Sequence, residues 1–293
     1  TVSLFAGAPL ADGNHNHCEC EECVKLRPSD FRVMILNDLD EELTRRNIHP
    51  RITFSTYVDA MFPPIRERIK NPGRFIIQFT PITRSFTASL TENSVIPEPL
   101  PYVRNAWETP VGAEENLALL NTWKKTWKGP IFCYEYHFWR HQFNDPGGIT
   151  FAKRIWEDIR GIKYMGIDGF VEDGSQRSFF PNGFAFYTYA RTLFDTSLDV
   201  DTLAKDYFPH VYGDAWQSFK EYLEKLGDVF GFAYLEGEES ADENRSQYYS
   251  PNRAEKISRI EEVLSEGEAL IKSHYNSDVR VQTVSVRLLE LHA

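Results

Sequence analysis

Five short apolar runs punctuate the first 172 residues: 2–6, 51–57, 74–80, 130–138 and 166–172. None alternates polar with apolar, as a half-solvated strand would. Each is continuous, the pattern of strands buried on both faces of a parallel sheet. Between them lie stretches of helical period. Ser29 stands as an N-cap for a helix over 30–46, where Phe31, Ile35, Leu39 and Leu43 recur every four residues. Residues 114–127 and 150–164 repeat the pattern, the latter with Ile155, Ile159 and Ile162 along one face. Strand alternating with helix predicts a parallel α/β architecture, either a barrel or an open sheet.

After Glu172 the period changes. Residues 181–194, 200–212, 214–230 and 251–274 all predict helices, and the acidic stretch 236–244 predicts a solvated loop. The expected division is therefore 1–195 as the carboxy-terminal part of a (β/α)8 TIM-type barrel and 196–293 as a helical tail. Five strands do not close a barrel that needs eight. Because the chain starts inside an apolar run, without Met, the expectation is that three strands lie upstream, or that a partner chain covers the exposed edges.

Composition narrows the function. The net charge of −11 argues against a nucleic-acid surface, which needs clustered Lys and Arg. No stretch approaches the ~20 apolar residues of a membrane span, and no basic-then-apolar leader opens the chain.

In a parallel barrel the chemistry sits at the carboxyl ends of the strands. Here those ends carry Asp12, Asp59, Arg84, Glu135, Glu172 and Asp173, among the aromatic residues Tyr57, Tyr136 and Trp139 and beside His137 and His141. Glycosidic cleavage needs one carboxyl to protonate the leaving oxygen and another as base or nucleophile. Glu135 and Glu172 are the leading catalytic pair, with Asp12 and Asp173 in reserve. Tyr57, Asp59, Arg84, Tyr136, His137 and Trp139 are the candidates for holding substrate: rings stack on a pyranose face, and Arg84 can clamp a carboxylate. For each acid the plainer alternative is a helix cap or an ion pair.

A second cluster packs His15, His17, Cys18, Cys20 and Cys23 into nine residues. Three thiolates and one His make an accepted structural zinc set, although C-x-C-x-x-C is not the paired spacing of a zinc ribbon. A disulfide or three buried thiols would also fit. No other cofactor is implied.

The chain resembles an uncharacterised bacterial domain of glycoside-hydrolase-like proteins related to alpha-glucuronidases and family 20 hexosaminidases. The resemblance rests on Asp12-Gly13 followed by Cys18-x-Cys20-x-x-Cys23, Asn37 in the next helix, and Phe54-Ser55-Thr56-Tyr57 with Pro63-Pro64. It continues through Arg84, Trp123, the 134–136 and 166–172 strands, 187–194 and the 199–213 segment, so it spans roughly residues 1–230. It implies a barrel with an upstream accessory domain and a helical tail, in secreted or surface systems for polysaccharide degradation. By position it implies acid/base roles for Asp12, Glu135 and Glu172. One departure is Ala6-Gly7-Ala8-Pro9 before Asp12, where a shorter polar turn is usual. The expected function is a glycosidase acting on an oligo- or polysaccharide. The rivals are a non-catalytic carbohydrate-binding barrel and a metal-dependent hydrolase using the His/Cys cluster.

Overall fold

Continuous apolar strands need cover on both faces, and the computed structural model shows how the chain supplies it. It describes residues 15–91, 95–174, 178–238 and 250–293, together with the backbone of 4–7. The elements fall into two units. The first comprises Thr1–Ser85, Leu90–Glu135 and Ile162–Glu172; the second comprises Phe86–Ser89, Tyr136–Gly161 and Asp173–Ala293.

The first unit is built on strands β1 (Leu4–Gly7), β2 (Arg51–Tyr57), β3 (Phe75–Thr80), β4 (Ile131–Glu135) and β5 (Phe170–Glu172). All neighbours are parallel and the order is β1-β2-β3-β4-β5. Helix α1 (Pro28–Arg45) connects β1 to β2, and α2 (Ala113–Thr126) lies between β3 and β4.

This corrects the expectation of a (β/α)8 barrel. Each strand pairs with the next in sequence, so the sheet grows in one direction and, among the described residues, β1 and β5 are its outermost strands. Closure would require the last strand to pair with the first, and five strands are too few for the eight-stranded barrel. The sequence pattern could not separate the two, because doubly covered strands look alike in barrels and open sheets.

The core of this unit gathers Phe54, Phe75, Ile77, Leu117, Leu120, Trp123, Trp127 and Ile131. Phe54 sits edge-on to Phe75 at 6.2 Å and to Trp127 at 5.7 Å. Each such buried ring contributes about 1.5–3 kcal/mol. Trp123 is buried at no polar cost because its Nε1 donates to the Met61 carbonyl at 3.0 Å.

Helix α1 departs from its predicted face. Val33, Leu36, Asn37 and Asp40 are buried, whereas Ile35 and Leu39 are 48% and 39% exposed. The cap also differs: Arg27 is the N-cap, and its N–H donates to Asp30 Oδ2 at 2.7 Å. Asp30 accepts three further backbone N–H groups, from Ile65, Arg66 and Glu67, at 2.8–3.2 Å. Burial pushes its carboxyl up, but the four amide donors outweigh this and hold it below the usual carboxylate range. The helix therefore faces inward at its polar anchors as well as its apolar ones.

The second unit contains most of α3 (Ile149–Met165), then α4 (Phe184–Phe194), α5 (Val200–Tyr212), α6 (Trp216–Phe230), α7 (Phe232–Leu235), α8 (Pro251–Ile257), α9 (Ile260–Ser273) and α10 (Arg280–His292). Residues 251–274 form two helices rather than one, and α10 had no counterpart among the predicted elements. Asp199 caps α5 by accepting the Thr202 N–H at 2.7 Å. Phe219 stacks on Tyr212 at 4.6 Å, joining α5 to α6. At the end of α6 the Arg253 guanidinium donates to the Asp228 and Val229 carbonyls, which have no acceptor role left in the helix. Gly231 makes room for it: φ is +69°, and a Cβ would lie 2.2 Å from Arg253 Nη2.

Candidate active site at the carboxyl ends of the sheet

Parallel strands deliver their last residues to one edge, and in the first unit those residues are charged. β4 ends on Glu135 and β5 on Glu172, and the two are register partners. Neighbouring strands lie ~4.8 Å apart and paired residues project to the same face, so the two carboxyl-bearing side chains leave the sheet side by side. Past the end of β3 the chain turns at Pro81, whose carbonyl accepts the Arg84 N–H at 3.0 Å. Arg84 Nη1 then lies 3.3 Å from Glu135 Oε2. Both side chains are 0% exposed, and a pair this deep needs each member to hold the other.

Cys133, two residues before Glu135 on the same face of β4, donates its S–H to Glu135 Oε2 at 3.2 Å. Burial pushes the Cys133 thiol well above its usual range, and the Glu135 charge adds to this, as does that of Glu172, while Arg84 opposes it. These four side chains thus form one electrostatic cluster. Glu172 is its half-buried member.

A second polar chain runs along the end of β2. Asp59 is buried, with His17 Nε2 at 3.0 Å and Arg32 Nη2 at 3.5 Å from its two oxygens. Arg32 also donates to the Ser55 carbonyl at 3.1 Å, and Ser55 Oγ bonds Thr80 Oγ1 at 2.7 Å. Asp59 is delivered by an unusual backbone: Val58, a β-branched residue, has φ +50°. That conformation is costly and survives only where its surroundings impose it. Tyr57, half-buried, closes β2 opposite Thr80.

The cysteine loop lies on the same unit. Sγ atoms of Cys18, Cys20 and Cys23 are within 4.8 Å of one another. None of the three is in a disulfide. The backbone N–H groups of Cys23 and Glu22, with the neighbouring thiols, pull the Cys20 thiol down to about 7, the Cys23 amide contributing most. His15 and His17 do not join the sulfurs. His15 Nδ1 donates to the Asn105 carbonyl at 3.1 Å and its ring rests 4.6 Å from Trp107, while His17 faces Asp59.

Tyr136, His137, Trp139 and Asp173 belong to the second unit. His137 Nε2 is 3.0 Å from Asp158 Oδ2, both side chains fully buried, and its ring is flanked by Phe86 and Phe151. That is the setting of a structural histidine. Trp139 is half-buried, 5.6 Å from Tyr136, with the Arg140 guanidinium over its face at 5.4 Å. Asp173 is half-buried in the bend after β5. Asp12 falls outside the described residues. In the same unit His141 Nδ1 lies 2.9 Å from the Glu236 carboxylate, so the acidic stretch predicted as solvated begins with a buried hydrogen-bonded pair.

Sequence reasoning missed Arg32, Cys133 and the Ser55–Thr80 bond. Cys133 had a signal, since an i, i+2 pair on a strand shares a face. Arg32 had none, because its partner arrives from β2.

A family model for a domain of unknown function, DUF4838, matches residues 10–224, and the chain belongs to that family. Comparison with curated proteins and with solved structures finds no match. Among the described residues, no helix is long and apolar enough to cross a membrane.

Proposed function

We propose that this member of the DUF4838 family is a glycoside hydrolase acting on an oligo- or polysaccharide, with Glu135 and Glu172 as its carboxyl pair. The observation that carries the reading is their direct register across β4 and β5, at the edge where parallel α/β sheets place their chemistry. Side chains leaving adjacent strands at ~4.8 Å suit the ~5–5.5 Å carboxyl separation of a retaining mechanism better than the ~6.5–9.5 Å of an inverting one.

The environments of the two acids suggest different roles. Glu135 faces the Arg84 guanidinium at 3.3 Å, a placement that suits a nucleophile or a group stabilising an oxocarbenium-like transition state. Glu172, half-buried, can exchange a proton with a leaving-group oxygen. Tyr57, half-buried at the end of β2, offers a ring for a sugar face. A secreted or cell-surface setting agrees with such a substrate.

One observation favours a second reading, carbohydrate binding without turnover. Glu135 and Arg84 have no exposed surface, which also describes a structural ion pair. Incubating the protein with a broad panel of aryl-glycosides and oligosaccharides distinguishes the two. Release of reducing sugar supports the hydrolase; saturable binding with no release over days supports the second reading.

A further inference from the structure

The loop between β1 and α1 carries chemistry that the carboxylate cluster does not use. We propose that Cys18, Cys20 and Cys23 form a three-thiolate binding site for a thiophilic d10 metal ion, zinc being the representative case. Four observations converge on it. First, all three sulfurs lie within 4.8 Å of one another. Tetrahedral zinc with bonds of ~2.3 Å spaces its sulfurs at about 3.8 Å, so the ligands are already gathered and need only a small inward movement. A disulfide would join two of the three and leave the third as a lone thiol; a metal ion engages all of them.

Second, the loop owes its shape to side chains outside the cluster. Arg104 donates to the carbonyls of Cys18, Cys23 and Leu26 at 2.5–3.1 Å. Asn105 receives the His17 N–H at 2.7 Å and donates to the His17 carbonyl at 3.0 Å and to Glu19 Oε1 at 2.8 Å. Asn105 does so from φ +59°, a conformation Asn tolerates better than most residues. The sulfur cluster is thereby preorganised.

Third, the charges suit the ion. Three thiolates around a divalent cation leave one net negative charge, and the Arg104 guanidinium stands directly behind the loop. Fourth, the donor set is soft, which selects zinc, copper(I) or cadmium over calcium or magnesium.

The structure revises the expected ligand set at one point. His15 and His17 are held on Asn105 and Asp59, so neither supplies the fourth ligand. Cys18 and Cys20 are exposed and Cys23 half-buried, so solvent reaches the sulfurs and water or a small external donor would complete the shell. In binding, three S–H bonds are replaced by three metal–sulfur bonds and three protons pass to water. No electron transfer is involved.

The test is titration of the full chain, reduced and under anaerobic conditions, with cobalt(II) as the spectroscopic probe and zinc as the competitor. The expected result is saturation at one equivalent, with sulfur-to-cobalt charge-transfer absorption in the near ultraviolet that zinc abolishes. Cys18→Ser, Cys20→Ser and Cys23→Ser should each weaken binding at least tenfold and reduce the charge-transfer intensity per bound cobalt. His15→Ala should leave both unchanged. Arg104→Met, which keeps all three sulfurs but frees the loop, should weaken binding without changing the spectrum at saturation. Circular dichroism of every variant confirms that the fold is retained. Absence of charge-transfer absorption from the reduced wild type would overturn the proposal, as would binding retained in the triple Cys→Ser variant.

Discussion

Arg84 and Glu135 face each other with both side chains withdrawn from solvent, and the pair makes a quantitative prediction. Breaking a buried pair from one side leaves an uncompensated charge, which costs about 3–5 kcal/mol, whereas replacing both partners by apolar residues of similar size is often neutral. Arg84→Met and Glu135→Leu should therefore each lower the unfolding free energy by about 3–5 kcal/mol, a large share of the ~5–15 kcal/mol of a typical domain. If the two acted independently, the double variant would lose about 6–10 kcal/mol. The pair instead predicts a double variant no less stable than the worse single one, giving a coupling energy of at least about 3 kcal/mol. Urea unfolding of the four proteins, followed by tryptophan fluorescence, measures it, since Trp123 and Trp127 lie in the core of the same unit. Single losses below about 1 kcal/mol, the size of an exposed pair, or additive losses in the double variant would refute the reasoning.

Other consequences follow from the same geometry. Asp30→Ala strips four backbone N–H groups of their charged acceptor and should cost at least about 3 kcal/mol by denaturant unfolding. Because the folded-state pKa of Asp30 is lowered, its contribution is complete above the ordinary carboxylate range and is lost as pH falls through the folded value. The variant should accordingly show a shallower loss of stability with acid than the wild type; an identical slope would contradict the assignment. Gly231→Ala forces a side chain into a left-handed position against Arg253 and should destabilise by about 2 kcal/mol or more, visible as a lowered Tm. With an excess of a thiol reagent, the reduced, metal-free native protein should react fastest at exposed Cys20, whose thiol is pulled down to about 7, and more slowly at half-buried Cys23, whose thiol the Cys20 and Cys18 sulfurs push up to about 11. Cys133, buried and with its thiol pushed up, should react only on unfolding.

What the sequence made legible depended on how local the signal was. Runs such as 51–57 and 74–80 declared β2 and β3 through their β-branched and aromatic residues, and the 200–212 period declared α5. Sheet closure was not legible, since no residue in a parallel strand reports whether its sheet has edges. Helix α1 shows a second limit. Its four-residue apolar repeat was real, but the buried face was set by what Asp30 and Asn37 bond across space, namely the backbone at 65–67 and at Arg68 and Lys70. At the candidate site, Glu135, Glu172 and Arg84 could be named from their places at strand ends, because parallel strands all point the same way. Tyr136, His137 and Trp139 immediately follow β4 and yet fall in the other compact unit, a division the residues around the strand end did not signal. His137 shows a third limit: a histidine in an aromatic run is as readily a buried partner for an aspartate as a proton carrier.

The most direct test of the carboxyl-pair account is kcat/KM of Glu172→Gln on the best substrate from the glycoside panel, alongside the dissociation constant for the same sugar. Glutamine preserves the shape and removes the ionisable proton. The account predicts a fall in kcat/KM of about 10²–10⁴-fold, the ordinary contribution of a positioned acid/base group, with sugar affinity within a few-fold of the wild type. Turnover unchanged by the substitution in a folded protein would contradict it and remove Glu172 from the chemistry.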